Sequence, residues 1–195
     1  MEAAATDQLL ERAPDRPSVL TVGTVVWLAS ELMFFSGLFA AYFTLRSAAT
    51  GPWPPRGVHL DVPVSALFTA ALVASSATMQ LAVRAIERGR VPIFRRWVVA
   101  TLLLGGVFVA NQAREWATLE FHVDSHAFGS AFYVMTGFHG LHVIGGLAAM
   151  LVLLLRAGDR RFGASDAPSV EVVSYYWHFV DVVWIALWAT LFLLR

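Results

Sequence analysis

Polar positions are sparse along this chain and gather in clusters. Between the clusters lie five apolar runs. They cover residues 19–45, broken by Glu31; 64–86; 97–119, with Asn111, Gln112, Arg114 and Glu115 at its far end; 127–155; and 172–194. Each is close to the roughly 20 residues that cross a bilayer as a helix. Hydrocarbon offers no water to a backbone amide, so each run is expected to be helical throughout. Strand-type alternation of apolar and polar positions is absent, which argues against a membrane barrel. The pattern predicts an all-α membrane protein, a bundle of five transmembrane helices.

The connections are short. "ATGPWPPRGVHLDVP" is rich in turn formers, and its prolines should stop both neighbouring helices. "ERGRVPIFRR" and "RAGDRRFGASDAPS" read as basic loops, and "EFHVDSHAFGS" as an acidic, histidine-bearing one. Residues 1–18 mix acids, arginines and prolines without the basic start and short apolar core of a secretory signal. They read as a polar tail, with Asp15 and Ser18 placed to start the first helix, ahead of one five-helix domain over 19–195.

Arginine placement predicts the orientation. Ten of the fourteen arginines fall in the tail, the second connection and the fourth connection. Arg46, Arg56, Arg114 and Arg195 fall on the other side. Basic residues concentrate on the cytoplasmic face of membrane proteins. The N-terminus is therefore expected in the cytoplasm and the C-terminus outside. Trp53 and Trp116 then lie near the outer interface and Trp97 near the inner one, as an aromatic belt requires.

Composition sharpens this picture. The chain is 57% apolar and 14% charged, against about 45–50% and about 25% for a soluble domain. Such a chain cannot cover itself with polar surface in water. Its net charge is zero, which argues against a nucleic-acid partner. It contains no cysteine, so disulfides, iron–sulfur clusters and thiolate-bound metals are excluded.

Candidate chemistry lies in the polar groups within the spans, since charged groups there usually face protein or water. They are Glu31, Arg114, Glu115, His139, His142, His178 and Asp181, with Gln112 beside them. Glu31 sits about twelve residues into the first span, a solitary charge near mid-membrane. It is either a proton-handling acid or a protonated one bonded to a neighbouring helix. Ser174, His178, Asp181, Ile185 and Trp188 follow a single helical face. His178 and Asp181 can meet at a spacing of three, as a proton relay or as a polar stripe buried against other helices. Gln112 and Glu115 share a face by spacing, and Arg114 can pair with Glu115 or with the interface. His139 and His142, three apart, could ligate haem or copper, with His178 opposite. Thr136, Gly137, Gly140, Gly145 and Gly146 surround them and are of the kind that draws helix backbones together. A tight helix pair leaves little room for a porphyrin.

Three segments, in this order, carry a family resemblance: "WLASELMFFSGLFAAYF" (Trp27–Phe43), "FYVMTGFHGLHVIGG" (Phe132–Gly146) and "SYYWHFVDVVWI" (Ser174–Ile185), supported by "QAREW" (Gln112–Trp116). The chain resembles subunit III of the haem–copper cytochrome c oxidases. "RPSVLTVGTVVWL" and the "PWPP…HL" connection look most like the actinobacterial form. The resemblance implies a bacterial plasma-membrane protein in a proton-pumping terminal oxidase. It implies no haem or copper in this chain; those belong to the partner subunits I and II. It implies packing beside subunit I, binding of phospholipids, and support for proton uptake and sustained turnover. Glu31 would lie on the helix beside subunit I. A cytochrome bc complex is the implied supercomplex partner. Longer members have seven spans and a lipid-holding cleft; this chain matches the last five, so that cleft does not carry over intact. Rival readings are subunit III of a quinol oxidase, an accessory protein of nitric oxide reduction, an autonomous haem-bearing electron carrier, and a small transporter.

Overall fold

The computed structural model describes residues 19–194. The polar tail, with Asp15 and Ser18, and Arg195 lie outside the described residues. Five long helices account for most of the rest: α1 (Val19–Ala48), α2 (Val62–Glu87), α3 (Val91–Thr118), α4 (Ala127–Arg156) and α5 (Ala167–Trp188). A short 3-10 turn, Ala164–Asp166, precedes α5, and a wider π-type turn, Ala189–Leu193, continues it. All five are long and apolar enough to cross a membrane, and no strand occurs among the described residues.

Local signals explain the helix ends. Asp61 caps α2 by accepting from the Val64 backbone amide at 3.1 Å, with Pro63 in the first turn. His126 caps α4, its Nδ1 accepting from the Gly129 amide at 2.8 Å. Each cap satisfies an amide that the helix itself leaves free. Two boundaries differ from the expectation. The third helix begins at Val91, so most of the expected basic loop is its first turns. The fifth begins at Ala167, inside the other expected loop. Pro92 and Pro168 sit in the opening turns, where a missing amide proton costs nothing. Arg95 and Arg96 are exposed on the first turns of α3, where long side chains reach the interface. Between α2 and α3 the chain turns at Gly89, whose φ of +66° suits glycine.

α5 is the packing centre. It contacts α1, α2 and α4, while α2 and α3 form the most extensive helix pair. α1 packs on α4 and α5 at the margin. Only 11% of its most apolar window is buried, against 50% for the span containing α5.

The centre is built around indoles. Trp177 is fully buried and wedged between α3 and α4. A β-carbon on Gly105 would stand 2.8 Å from its ring, and one on Gly146 2.7 Å. Trp116 lies over Gly137 in the same way, at 3.3 Å. The small residues of the fourth span therefore serve chiefly to receive aromatic rings, not to bring backbones together as the sequence suggested. The same indoles tie α5 to α2. Trp177, Trp184 and Trp188 donate to Ser75 (2.9 Å), Thr69 (2.9 Å) and Ser65 (2.8 Å). In lipid, apolar burial gives no drive between helices. Close packing and such interhelical hydrogen bonds hold them together.

Candidate functional site

Glu31 is not solitary. Its Oε2 lies 3.0 Å from His142 Nε2 on α4. His142 Nδ1 lies 2.6 Å from the Phe138 carbonyl. A carbonyl can only accept, so Nδ1 carries a proton. Nε2 then either accepts from protonated Glu31 or, itself protonated, donates to the carboxylate. In both cases the pair carries one proton between its two sites and no net charge. A neutral pair is the form a bilayer tolerates best. Phe35 meets the imidazole edge-on at 4.9 Å. Tyr176 of α5 donates to the His142 carbonyl at 2.9 Å and stacks on Trp27 of α1 at 5.1 Å. The pair thus sits where α1, α4 and α5 meet. It is not sealed: the Glu31 and His142 side chains retain 22% and 16% of their exposure.

A second polar group joins α5 to α2. Ser76 Oγ donates to Asp181 Oδ2 and lies 2.7 Å from His178 Nδ1. Having given its proton to Asp181, Ser76 accepts from the imidazole. His178 Nε2 lies 3.1 Å from Ser174 Oγ. Ser174, His178, Ser76 and Asp181 are therefore one continuous hydrogen-bonded chain. The expected direct meeting of His178 and Asp181 is replaced by a serine bridge from the neighbouring helix. Ile185 departs from the expected buried stripe and is 45% exposed, whereas Trp188 turns inward to Ser65. Asp181 Oδ1 is buried without a protein partner.

The two histidines of the fourth span do not converge. His142 reaches α1, whereas His139 is buried and lies flat on Trp184 at 4.8 Å, with the edge of Phe108 at 6.0 Å. Neither His139 nitrogen has a protein partner. Among the described residues, no group of three or more His, Cys, Asp and Glu side chains is placed to hold a metal ion.

Gln112 and Glu115 also separate. Glu115 lines a polar pocket of about 130 Å³ with His59, Asp61, Ser65, Asn111 and Arg114. Gln112 lines an apolar groove on the other side of α3. Arg114 donates to Asn111 at 3.1 Å, one turn back on its own helix. No ion pair joins it to Glu115. Sequence reasoning missed Ser76, the three hydroxyl partners of the indoles, and Asp61 and His59 at the polar pocket. Ser75 and Ser76 stand side by side in an apolar run, which was the available signal.

Five membrane-length helices, joined by an ionisable pair between α1 and α4 and by hydroxyl, indole and carboxyl groups between α5 and α2, define a polytopic membrane protein whose polar groups link its helices. Sequence comparison gives the family. The family model for cytochrome c oxidase subunit III matches residues 15–194. A probable cytochrome c oxidase subunit 3 from Nocardia farcinica is 51% identical, covering 93% of this chain and 91% of that protein. Its counterpart in Mycobacterium tuberculosis is 50% identical with the same coverage. A cytochrome c oxidase subunit 3 from Corynebacterium diphtheriae is 46% identical over 94% of this chain and 92% of its own length. The chain belongs to the cytochrome c oxidase subunit III family. It is a multi-pass plasma-membrane protein of the aerobic respiratory chain, part of an oxidase complex and associated there with other oxidase subunits.

Proposed function

We propose that this chain is a non-redox subunit that packs beside subunit I, stabilises it, binds phospholipid and supports proton uptake during turnover. In this reading the chain has no catalytic centre, and haem and copper reside in subunits I and II. The N-terminus is cytoplasmic and the C-terminus outside, as the arginine distribution favours. The likeness to actinobacterial relatives supports a cytochrome bc complex as a neighbour in a supercomplex.

The observation that carries the proposal is the Glu31–His142 pair. It is a one-proton pair inside a span, partly open, on the helix with the least burial in its own chain. A proton-bearing group at such a margin suits contact with a proton-conducting neighbour. Replacement of Glu31 by Gln keeps shape and most hydrogen bonding, so the oxidase should assemble. Glu31→Ala removes the acid and the link to His142. The expected result is an assembled oxidase that loses activity sooner under sustained turnover or takes up protons more slowly. A Glu31→Ala oxidase that assembles, pumps and survives prolonged turnover like the unaltered enzyme would refute the coupling.

A further inference from the structure

The groove beside Gln112 is a preformed slot. It has a volume of about 440 Å³, within the range of small-molecule sites. α3 contributes Phe108, Gln112, Ala113 and Trp116, and α4 contributes Tyr133, Gly137, Gly140 and Ile144. Ala113, Gly137 and Gly140 line it with little side chain, and a β-carbon on Gly140 would meet nothing within 4 Å. Aromatic rings close one end. The other polar groups of its rim are already engaged. Trp116 donates to Thr136 at 3.3 Å, Thr136 to the Phe132 carbonyl at 2.7 Å, and Tyr133 to the Phe121 carbonyl at 3.0 Å.

Gln112 is the exception. It is 7% exposed, and its amide nitrogen has no acceptor in the protein. A buried donor left unpaired is costly, so whatever fills the slot is expected to bring an acceptor and otherwise be hydrocarbon. Depth narrows the choice. Gln112 lies one helical turn, about 6 Å, deeper than Trp116, and a tryptophan at a span end marks the headgroup level. An acceptor one turn below headgroup level is an ester carbonyl at the root of an acyl chain. A quinone ring carries two carbonyls, and the slot offers one free donor side chain.

We infer that the α3–α4 groove holds one acyl chain of a phospholipid from the leaflet at the Trp116 end, with its ester carbonyl accepting from the Gln112 amide. This deepens the lipid-binding part of the proposed function and rests on it. The test uses the whole oxidase purified in mild detergent. It counts retained phospholipids by native mass spectrometry and inspects the groove by electron cryomicroscopy. Gly140→Leu grows a side chain into the slot from a position whose β-carbon meets no neighbour, and should remove one phospholipid and its density. Gln112→Leu keeps the wall apolar and should lower occupancy about three- to tenfold, the worth of one hydrogen bond. If the unaltered complex retains no phospholipid on this subunit, the broader lipid reading fails too. If phospholipids are retained but neither variant changes their number or the groove density, the groove assignment alone fails. A quinone, or a side chain of a neighbouring subunit, in the groove also overturns it.

Discussion

The α5–α2 joint and the α1 margin solve the same problem with different means. At the α5–α2 joint, three indoles donate to three hydroxyls in antiparallel register, and Ser76 closes a polar chain with His178 and Asp181. At the margin, α1 is held by the Glu31–His142 pair, by a ring edge-on to α4 and a ring stacked on α5, and by Tyr42 donating to the Thr190 carbonyl at 3.3 Å. The indole bonds to Ser75 and Thr69 are buried, whereas the Ser76–His178–Asp181 chain and the Glu31–His142 pair are both only partly buried. Lipid supplies no hydrophobic drive between helices, so the number and fit of such contacts set how firmly a helix is held. The α5–α2 joint carries more such bonds than the α1 margin. The margin leaves most of α1 uncovered, with Met33 77% and Val26 63% exposed.

The largest expected effect comes from removing the central ring. Trp177→Ala empties the notch between Gly105 and Gly146 and deletes a hydrogen bond. It should cost about 3–5 kcal/mol, read as a marked fall in the unfolding temperature of the detergent-solubilised complex and loss of this subunit from it. Gly146→Val attacks the same site by crowding and should cost about 1–3 kcal/mol. Next comes the serine bridge. Ser76→Ala removes the partner of Asp181 Oδ2 and of His178 Nδ1 and should destabilise by about 1–3 kcal/mol. The conservative Ser76→Thr should recover much of that loss, again followed by thermal unfolding. At the margin, His142→Ala should cost about 0.6–1.7 kcal/mol, the range of intramembrane hydrogen bonds. Hydrogen–deuterium exchange should then rise in α1 while α2 and α5 stay protected. Smallest is Met33→Leu on the open face, within about 0.5 kcal/mol by thermal unfolding, as for exposed sites generally. If His142→Ala loosened α5 as much as α1, the contrast between the two joints would collapse.

The five spans were legible because twenty-residue apolar runs have one solution in a bilayer. The ionisable residues were legible because each is an expensive exception in hydrocarbon. Their partners were not. A serine such as Ser76 barely disturbs an apolar run, since it can bond to its own helix, and nothing in its spacing says that it bridges two residues of another helix. Glu31 looked solitary because its partner is 111 positions away in the chain. Glycines at 137 and 146 signalled close approach, but whether backbone or indole fills the notch depends on a distant tryptophan. The helix starts at Val91 and Ala167 were hidden because arginine and proline read as loop, although both suit a first turn at a membrane interface.

If Glu31 and His142 fasten α1 to the bundle, the two side chains must be energetically joined. A double-mutant cycle measures this, with Glu31→Ala, His142→Ala and the double variant compared by reversible unfolding of the subunit in bilayer discs. A coupling of about 0.6–1.7 kcal/mol between the two positions is expected. Strictly additive effects, with α1 equally protected from exchange in all variants, would contradict it.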